Sequence, residues 1–64
     1  MKPIKTRKFL KLVAKEHNVF AVDTRQGVMY VRSDEAMDLP YDVLESEVLC
    51  VRERTPAFMR IVVE

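Results

Sequence analysis

The chain has 64 residues and a net charge of +1, with 48% hydrophobic and 33% charged residues. This predicts one small globular domain over residues 1–64 rather than a disordered chain. The single cysteine excludes an internal disulfide, and no apolar run reaches the roughly 18 residues of a membrane span. Charges interrupt the apolar stretch of residues 1–15, which argues against a signal peptide. We therefore expect a cytoplasmic protein with no membrane contact.

The charges are segregated along the chain, although they nearly cancel in total. Residues 1–17 contain six cations, which are Lys2, Lys5, Arg7, Lys8, Lys11 and Lys15, and one acid, Glu16. Residues 34–47 contain no cation and six acids, which are Asp34, Glu35, Asp38, Asp42, Glu45 and Glu47. Near neutrality gives no general attraction to polyanions, so any such binding would depend on the basic segment.

Residues 6–17 are predicted to form an amphipathic helix. Its apolar side contains Phe9, Leu10, Leu12, Val13 and His17, and its opposite side contains Lys8, Lys11 and Lys15. Thr6 is expected to be the N-cap, and Asn18 to adopt a left-handed conformation after the last turn. His17 is expected at the helix end, where the helix dipole favours it.

A hairpin is predicted to follow this helix. Residues 19–23 and 28–32 are rich in β-branched and aromatic side chains, which is typical of strands. The turn of residues 24–27 ends in Gly27, the only glycine of the chain. Its place suits the positive φ that follows a type I turn in a hairpin loop of three to five residues.

An acidic connection and a second strand pair complete the chain. Within residues 33–46, Pro40 is expected to open a short turn of helix, and Leu39 and Leu44 to anchor it to the core. Residues 47–54 and 58–63 are predicted to be strands joined by a turn at Pro56. Strand alternation places Met59, Ile61 and Val63 opposite Phe58, Arg60 and Val62 on the last strand, and Leu49 and Val51 opposite Val48, Cys50 and Arg52 on the third.

This order predicts an α+β fold, with the N-terminal helix packed on a four-stranded, mostly antiparallel sheet. One helix covers only one face of a sheet, and Phe20, Val22, Phe58 and Val62 cannot all lie beneath it. We therefore expect a second face that a partner protein covers, or a second copy in a homodimer.

No arrangement of residues indicates catalysis, a metal or a cofactor. His17 and Cys50 are the only histidine and cysteine, too few for a zinc site, and Cys50 is interpreted as a buried or half-buried hydrophobe. The acidic residues lack the order of a calcium loop, and one glycine is too few for a phosphate-binding loop. We therefore expect a non-enzymatic protein without a cofactor.

Cations at a helix start oppose the helix dipole, and three interpretations of them stay open. The cations form a solvated face, or pair with the acids of residues 34–47 in the same or another copy, or contact a polyanion, either a nucleic acid or an acidic protein surface. A polyanion surface would extend to Arg25, Arg52, Arg54 and Arg60, with Tyr30, Phe20 or Phe58 stacking on bases. The candidate partner-binding residues are Arg7, Lys8, Lys11, Lys15, Asp34, Glu35, Asp38 and Asp42.

Three segments carry a resemblance to a known group. They are Phe9-Leu10-Lys11-Leu12, DLPYDVL at residues 38–44 and EVLCV at residues 47–51, followed by a Val/Ile-rich last strand. Together they resemble very small, mostly uncharacterised proteins of phages and prophages in Gram-positive bacteria. The resemblance implies a viral accessory protein that binds and inhibits a host defence or regulatory protein. The alternative is a nucleic-acid-binding module that uses the basic N-terminal helix.

Overall fold

A computed structural model describes residues 3–64, which form an α+β fold with one four-stranded sheet. In chain order the elements are α1 (Thr6–Val13), β1 (Val19–Thr24), β2 (Gly27–Arg32), a 3₁₀ helix (Ser33–Asp38), α2 (Tyr41–Leu44), β3 (Val48–Arg54) and β4 (Phe58–Val63). The predicted order of a helix, a hairpin, a short helix and a second hairpin is confirmed.

The sheet is mixed, with the strand order β2-β1-β4-β3. Both hairpins are antiparallel, as predicted, whereas the two central strands β1 and β4 pair in parallel. Parallel neighbours need a long crossover connection, and residues 25–57, which include both edge strands, supply it here. The central position explains why β1 is mostly buried, while β2 and β3 form the two edges of the sheet.

The first hairpin has the predicted glycine-dependent turn. Gly27 has a φ of +133°, a backbone conformation that residues with a Cβ rarely adopt. The Thr24 hydroxyl donates to the carbonyl of Gly27 at 2.9 Å and accepts from the backbone N–H of Gln26 at 3.1 Å. The positive φ of Gly27 is as predicted. The loop between the strands, however, has only two residues, Arg25 and Gln26, instead of three to five.

Helix α1 ends at Val13, four residues before its predicted end, and residues 14–16 form a turn. Thr6 is not an N-cap: its hydroxyl donates to the carbonyl of Ser46 at 3.0 Å, and its backbone N–H donates to the same carbonyl at 2.8 Å. The prediction for Asn18 is also wrong, since no non-glycine residue of the described chain has a positive φ. Pairing with the start of β3 thus replaces the side-chain cap at the beginning of this helix.

The core lies between one face of the sheet and the layer formed by α1, the 3₁₀ helix and α2, called here the helical layer. The buried residues on this side include Leu10, Phe20, Val22, Ala36, Leu39, Val43, Leu44, Met59, Ile61 and Val63. Leu39 and Leu44 are therefore the predicted anchors, and the predicted alternation along β4 is confirmed. The placement of Leu12 on the apolar side is wrong, because its side chain is 66% exposed.

Three other predictions require correction. Pro40 precedes α2 as its N-cap residue instead of being its first residue, and the 3₁₀ helix before it was not predicted. Strand β3 has register shifts between Val48 and Cys50 and between Val51 and Glu53, which break the expected alternation. On this irregular edge Cys50 is exposed rather than buried.

Within residues 3–64, no helix has the length and apolar character that a membrane crossing requires.

Candidate binding surface

The second face of the sheet, called here the open face, is not covered by the helical layer. Directly opposite residues in neighbouring strands point to the same side of a sheet. Tyr30 of β2 and Arg60 of β4 both lie opposite Ala21 of β1, and Val28 and Val62 both lie opposite Asp23. These rows alternate with the buried core positions of β1 and β4, so they form the other side of the sheet.

Asp23 lies at the centre of the open face and is only 9% exposed. The Nε of Arg60 donates to both of its carboxylate oxygens, at 2.9 and 3.0 Å. The Nη1 of Arg52 donates to the same carboxylate at 3.4 Å. A buried carboxylate requires such partners, because an unpaired charge away from water is strongly unfavourable. One carboxylate is thus shared by two guanidinium groups.

The hydrogen bond to Asp23 raises the pKa of Arg60 above its ordinary value, and the nearby Tyr30 and Glu53 contribute to the same direction of change. The guanidinium is therefore cationic at any physiological pH. Arg60 uses only its Nε on Asp23, and Arg52 uses only one terminal nitrogen. Their remaining N–H groups form no hydrogen bond within residues 3–64, and the planar fork of a guanidinium group suits a carboxylate.

Aromatic side chains flank this central cluster. Tyr30 is 68% exposed on edge strand β2, and Phe58 lies half-buried opposite Val19. Phe20, in contrast, lies in the core, so its predicted stacking on bases is wrong. Tyrosine and arginine are enriched among the residues that dominate binding energy in protein interfaces. The open face therefore combines apolar, aromatic and guanidinium groups around one fixed ionic centre.

Asp23 is not among the predicted partner-binding residues, although Arg52, Arg60 and Tyr30 are weighed as parts of a polyanion surface. Its signal in the sequence is a lone carboxylate inside the apolar strand VFAVDT. Charged residues are almost never fully buried unless they are paired. The sequence does not show which cations pair with it, because Arg52 and Arg60 come from distant strands.

The predicted cations of the helix lie in the helical layer, away from the open face. Arg7 forms an ion pair with Glu45, with 3.1 Å between Nη2 and Oε2, and its guanidinium carbon lies 5.7 Å from the ring centroid of Tyr41. Lys5 donates to the other oxygen of Glu45 at 2.9 Å. The predicted pairing with acids of the same copy is thus observed for these two cations. Lys2 lies outside the described residues.

The other predicted site residues are exposed, in two groups of opposite charge. Lys8, Lys11 and Lys15 form no ion pair with any residue from 3 to 64, and the same is true of Glu35, Asp38 and Asp42. Asp34 lies 3.7 Å from the Nε of Arg32, and both side chains are exposed. The fold therefore places seven of the eight predicted residues in the helical layer and Lys15 in the turn after α1, but it joins none of the cations to those acids.

The pairing at Glu45 gives a prediction about pH. The hydrogen bond from Lys5 holds the pKa of Glu45 below its usual value, so the folded state favours the ionised form. This stabilisation is complete above about pH 4.5 and is lost as the pH falls through the lowered pKa. The same contact raises the pKa of Lys5, so its part is present below about pH 10.5 and is lost above that value.

We expect Glu45→Gln to be slightly less stable than the wild type at pH 6, and the difference to shrink toward pH 2 as the wild-type carboxyl becomes protonated. The effect is small because both partners are solvent-accessible. Urea denaturation at the two pH values measures the difference. Glu47→Gln is the control, since Glu47 forms no side-chain ion pair in residues 3–64. A stability gap that is undiminished at pH 2 would contradict the assigned role of this carboxylate.

His17 differs from its predicted place at the helix end. It follows the turn after α1, is buried, and donates from Nδ1 to the carbonyl of Thr55 at 2.8 Å. Its Nε2 is buried without a partner in the described chain, and its ring lies against Phe20 at 6.2 Å between centroids. His17 thus connects the turn after α1 to the β3–β4 turn. No group of three or more metal-ligating side chains in residues 3–64 is arranged to hold an ion.

Comparison of the chain with protein-family models, curated proteins and solved structures finds no match. We therefore base the proposed function on the surfaces described above.

Proposed function

We propose that the protein is a small non-enzymatic binding module that acts by protein–protein contact through its open face. The observation that carries this proposal is the cluster of Asp23, Arg52 and Arg60 beside the exposed Tyr30. The buried carboxylate holds the guanidinium of Arg60 through two hydrogen bonds and contacts that of Arg52, and the other N–H groups of both arginines form no hydrogen bond within residues 3–64. Fixed side chains lose less conformational entropy when a partner binds.

The chemistry of the open face favours one kind of partner, a protein surface that presents carboxylates beside apolar side chains. The unpaired N–H groups of Arg52 and Arg60 would donate hydrogen bonds to these carboxylates. Tyr30, Phe58 and Val62 would pack against the apolar part. A second copy fits this face less well, because its arginine cluster would meet an identical cluster across a two-fold axis.

The resemblance to phage and prophage proteins supports a more specific role. We propose an accessory protein of viral origin that acts in the cytoplasm of a bacterial host and inhibits a host defence or regulatory protein. A module without catalytic groups would do so by covering a functional surface of its target. This step is an analogy at the level of the family, and the open face supplies the physical means.

A nucleic-acid-binding role for the basic helix is the alternative. The observation that supports it is the exposure of Lys8, Lys11 and Lys15 without ion pairs in the described chain. Against it, the same layer carries exposed carboxylates, among them Glu35 and Asp38, which would repel phosphate groups. A nuclease treatment in the experiment below separates the two roles.

The proposal is tested by affinity capture from the lysate of a Gram-positive bacterium, with and without nuclease. Three tagged variants are compared with the wild type: Tyr30→Ala, Arg52→Ala and the control Arg25→Ala, an exposed cation at the hairpin tip without an ion pair in residues 3–64. We expect a protein that the wild type and the control retain, and that both open-face variants lose.

The captured protein is then purified, and its affinity is measured by isothermal titration calorimetry. Tyr30→Ala and Arg52→Ala should each weaken binding at least tenfold, and circular dichroism should show that both variants stay folded. Equal affinity of all variants would contradict the assignment of the open face. Loss of the captured protein after nuclease treatment would favour the nucleic-acid alternative.

A further inference from the structure

We propose that a second copy of this chain docks on the helical layer, on the side of the molecule opposite the open face. In this homodimer the basic face of one copy, Lys8, Lys11 and Lys15, contacts the acidic face of the other, Glu35, Asp38 and Asp42. A two-fold axis makes this contact twice. The proposal is independent of the open face and of any partner bound there.

Within residues 3–64 of one copy, the ion pairs form away from the basic and acidic faces. Glu45 forms ion pairs with Lys5 and Arg7. Asp23 forms ion pairs with Arg52 and Arg60, and Glu16 forms one with Arg54 at 3.3 Å. The six residues of the basic and acidic faces have no such partner among residues 3–64. Two cations of α1, Lys15 in the turn after it and three carboxylates of the helical layer are therefore left to interact with another molecule.

Large apolar side chains near these charges in the sequence are exposed. Leu12 is 66% exposed, and it shares the outer side of α1 with Lys8 and Lys11 at helical spacing. Met37, between Glu35 and Asp38 in the 3₁₀ helix, is 39% exposed. Tyr41 at the start of α2 is 72% exposed. Burying these side chains supplies the apolar part that charged pairs alone do not give.

A second copy of the chain suits this surface better than a nucleic acid does. A surface that carries separate basic and acidic faces is complementary to a second copy of itself turned by a two-fold axis. A nucleic acid complements only the lysines and meets the repulsion of Glu35, Asp38 and Asp42. Because the charges are exposed, the association is expected to weaken as salt is added.

Charge exchange provides the test. The double variants Lys8→Glu/Lys11→Glu and Glu35→Lys/Asp38→Lys each place like charges across the proposed contact, so each alone should be monomeric. Mixed in equal amounts they should form a heterodimer, because both contacts across the two-fold axis regain opposite charges. Arg25→Glu is the control, since it changes charge at the hairpin tip and should remain dimeric.

Analytical ultracentrifugation from 10 µM to 1 mM protein at low and high salt measures the association, and circular dichroism confirms that each variant is folded. The wild type should dimerise at low salt, with a dissociation constant at least tenfold larger at 0.5 M salt. A monomeric wild type at 1 mM, or a dimer that both double variants retain, would overturn the proposal.

A third result would also overturn it: a monomeric wild type that binds a 20-base-pair DNA duplex and loses that binding with Lys8→Glu/Lys11→Glu. The open face is tested separately. Tyr30→Ala should dimerise like the wild type, so failure of the dimer leaves the proposed partner contact unaffected, and failure of the partner contact leaves the dimer unaffected.

Discussion

Replacing Phe20 with alanine is expected to unfold most of the protein at room temperature. Phe20 is fully buried between the sheet and the helical layer. Truncation of such a side chain costs about 3–5 kcal/mol through lost burial and the cavity that remains. A domain of 64 residues has a total stability of about 3–10 kcal/mol, so little of it would be left. Urea denaturation followed by circular dichroism measures the loss.

Phe58 provides the matched control, because it is the same residue type on the opposite face of the same sheet. It lies half-buried on β4, opposite Val19. We expect Phe58→Ala to stay folded, with a much smaller loss of stability than Phe20→Ala, and to weaken partner binding through the open face. Equal destabilisation by the two substitutions would contradict the assignment of a covered and an open face.

The second large effect is expected for Asp23→Ala, which removes the one acceptor that Arg52 and Arg60 have within residues 3–64. The half-buried Arg60 then has a charged Nε–H without a partner, and leaving such a group unsatisfied is unfavourable. We expect the melting temperature to fall by about 5–10 °C, which is a typical shift for the loss of one strong interaction in a domain of this size. Thermal denaturation followed by circular dichroism measures it.

Asp34→Ala is the control for this prediction, since the 3.7 Å pair between Asp34 and Arg32 is exposed on both sides. Exposed pairs contribute little, so its melting temperature should stay within about 2 °C of the wild type. Asp23→Ala should also weaken partner binding, because Arg52 and Arg60 lose the group that orients them. A variant of Asp23 with wild-type stability and wild-type binding would show that the cluster has neither role.

The elements of the fold were predictable because they depend on local patterns. Gly27 marks a turn that needs positive φ, and the alternation of Met59, Ile61 and Val63 identifies the core side of the last strand. The end of α1 was not predictable in this way. Hydrogen bonds from His17 and from the backbone of Asn18 and Val19 to Thr55 and Ala57 hold the chain after α1 in another conformation.

The candidate surface depends even more on distant contacts. The lysines near the start of the chain and the acids of the connection are visible in the sequence as clusters of charge. Nothing local indicates that Glu45 pairs with Lys5 and Arg7, while Lys8 and Lys11 form no ion pair within residues 3–64. Likewise, Cys50 reads as a buried strand residue, and only the register shifts of an edge strand expose it.

By itself the sequence determined the fold class, the two hairpins and the segregation of charge, because turn chemistry, side-chain periodicity and composition act over a few neighbouring residues. Only the tertiary structure decided that β1 and β4 lie side by side in parallel, and that Asp23 therefore meets Arg52 and Arg60 on the open face. Strand order is set by the packing of the whole chain, and the shared carboxylate exists only once residues far apart in sequence have been brought together.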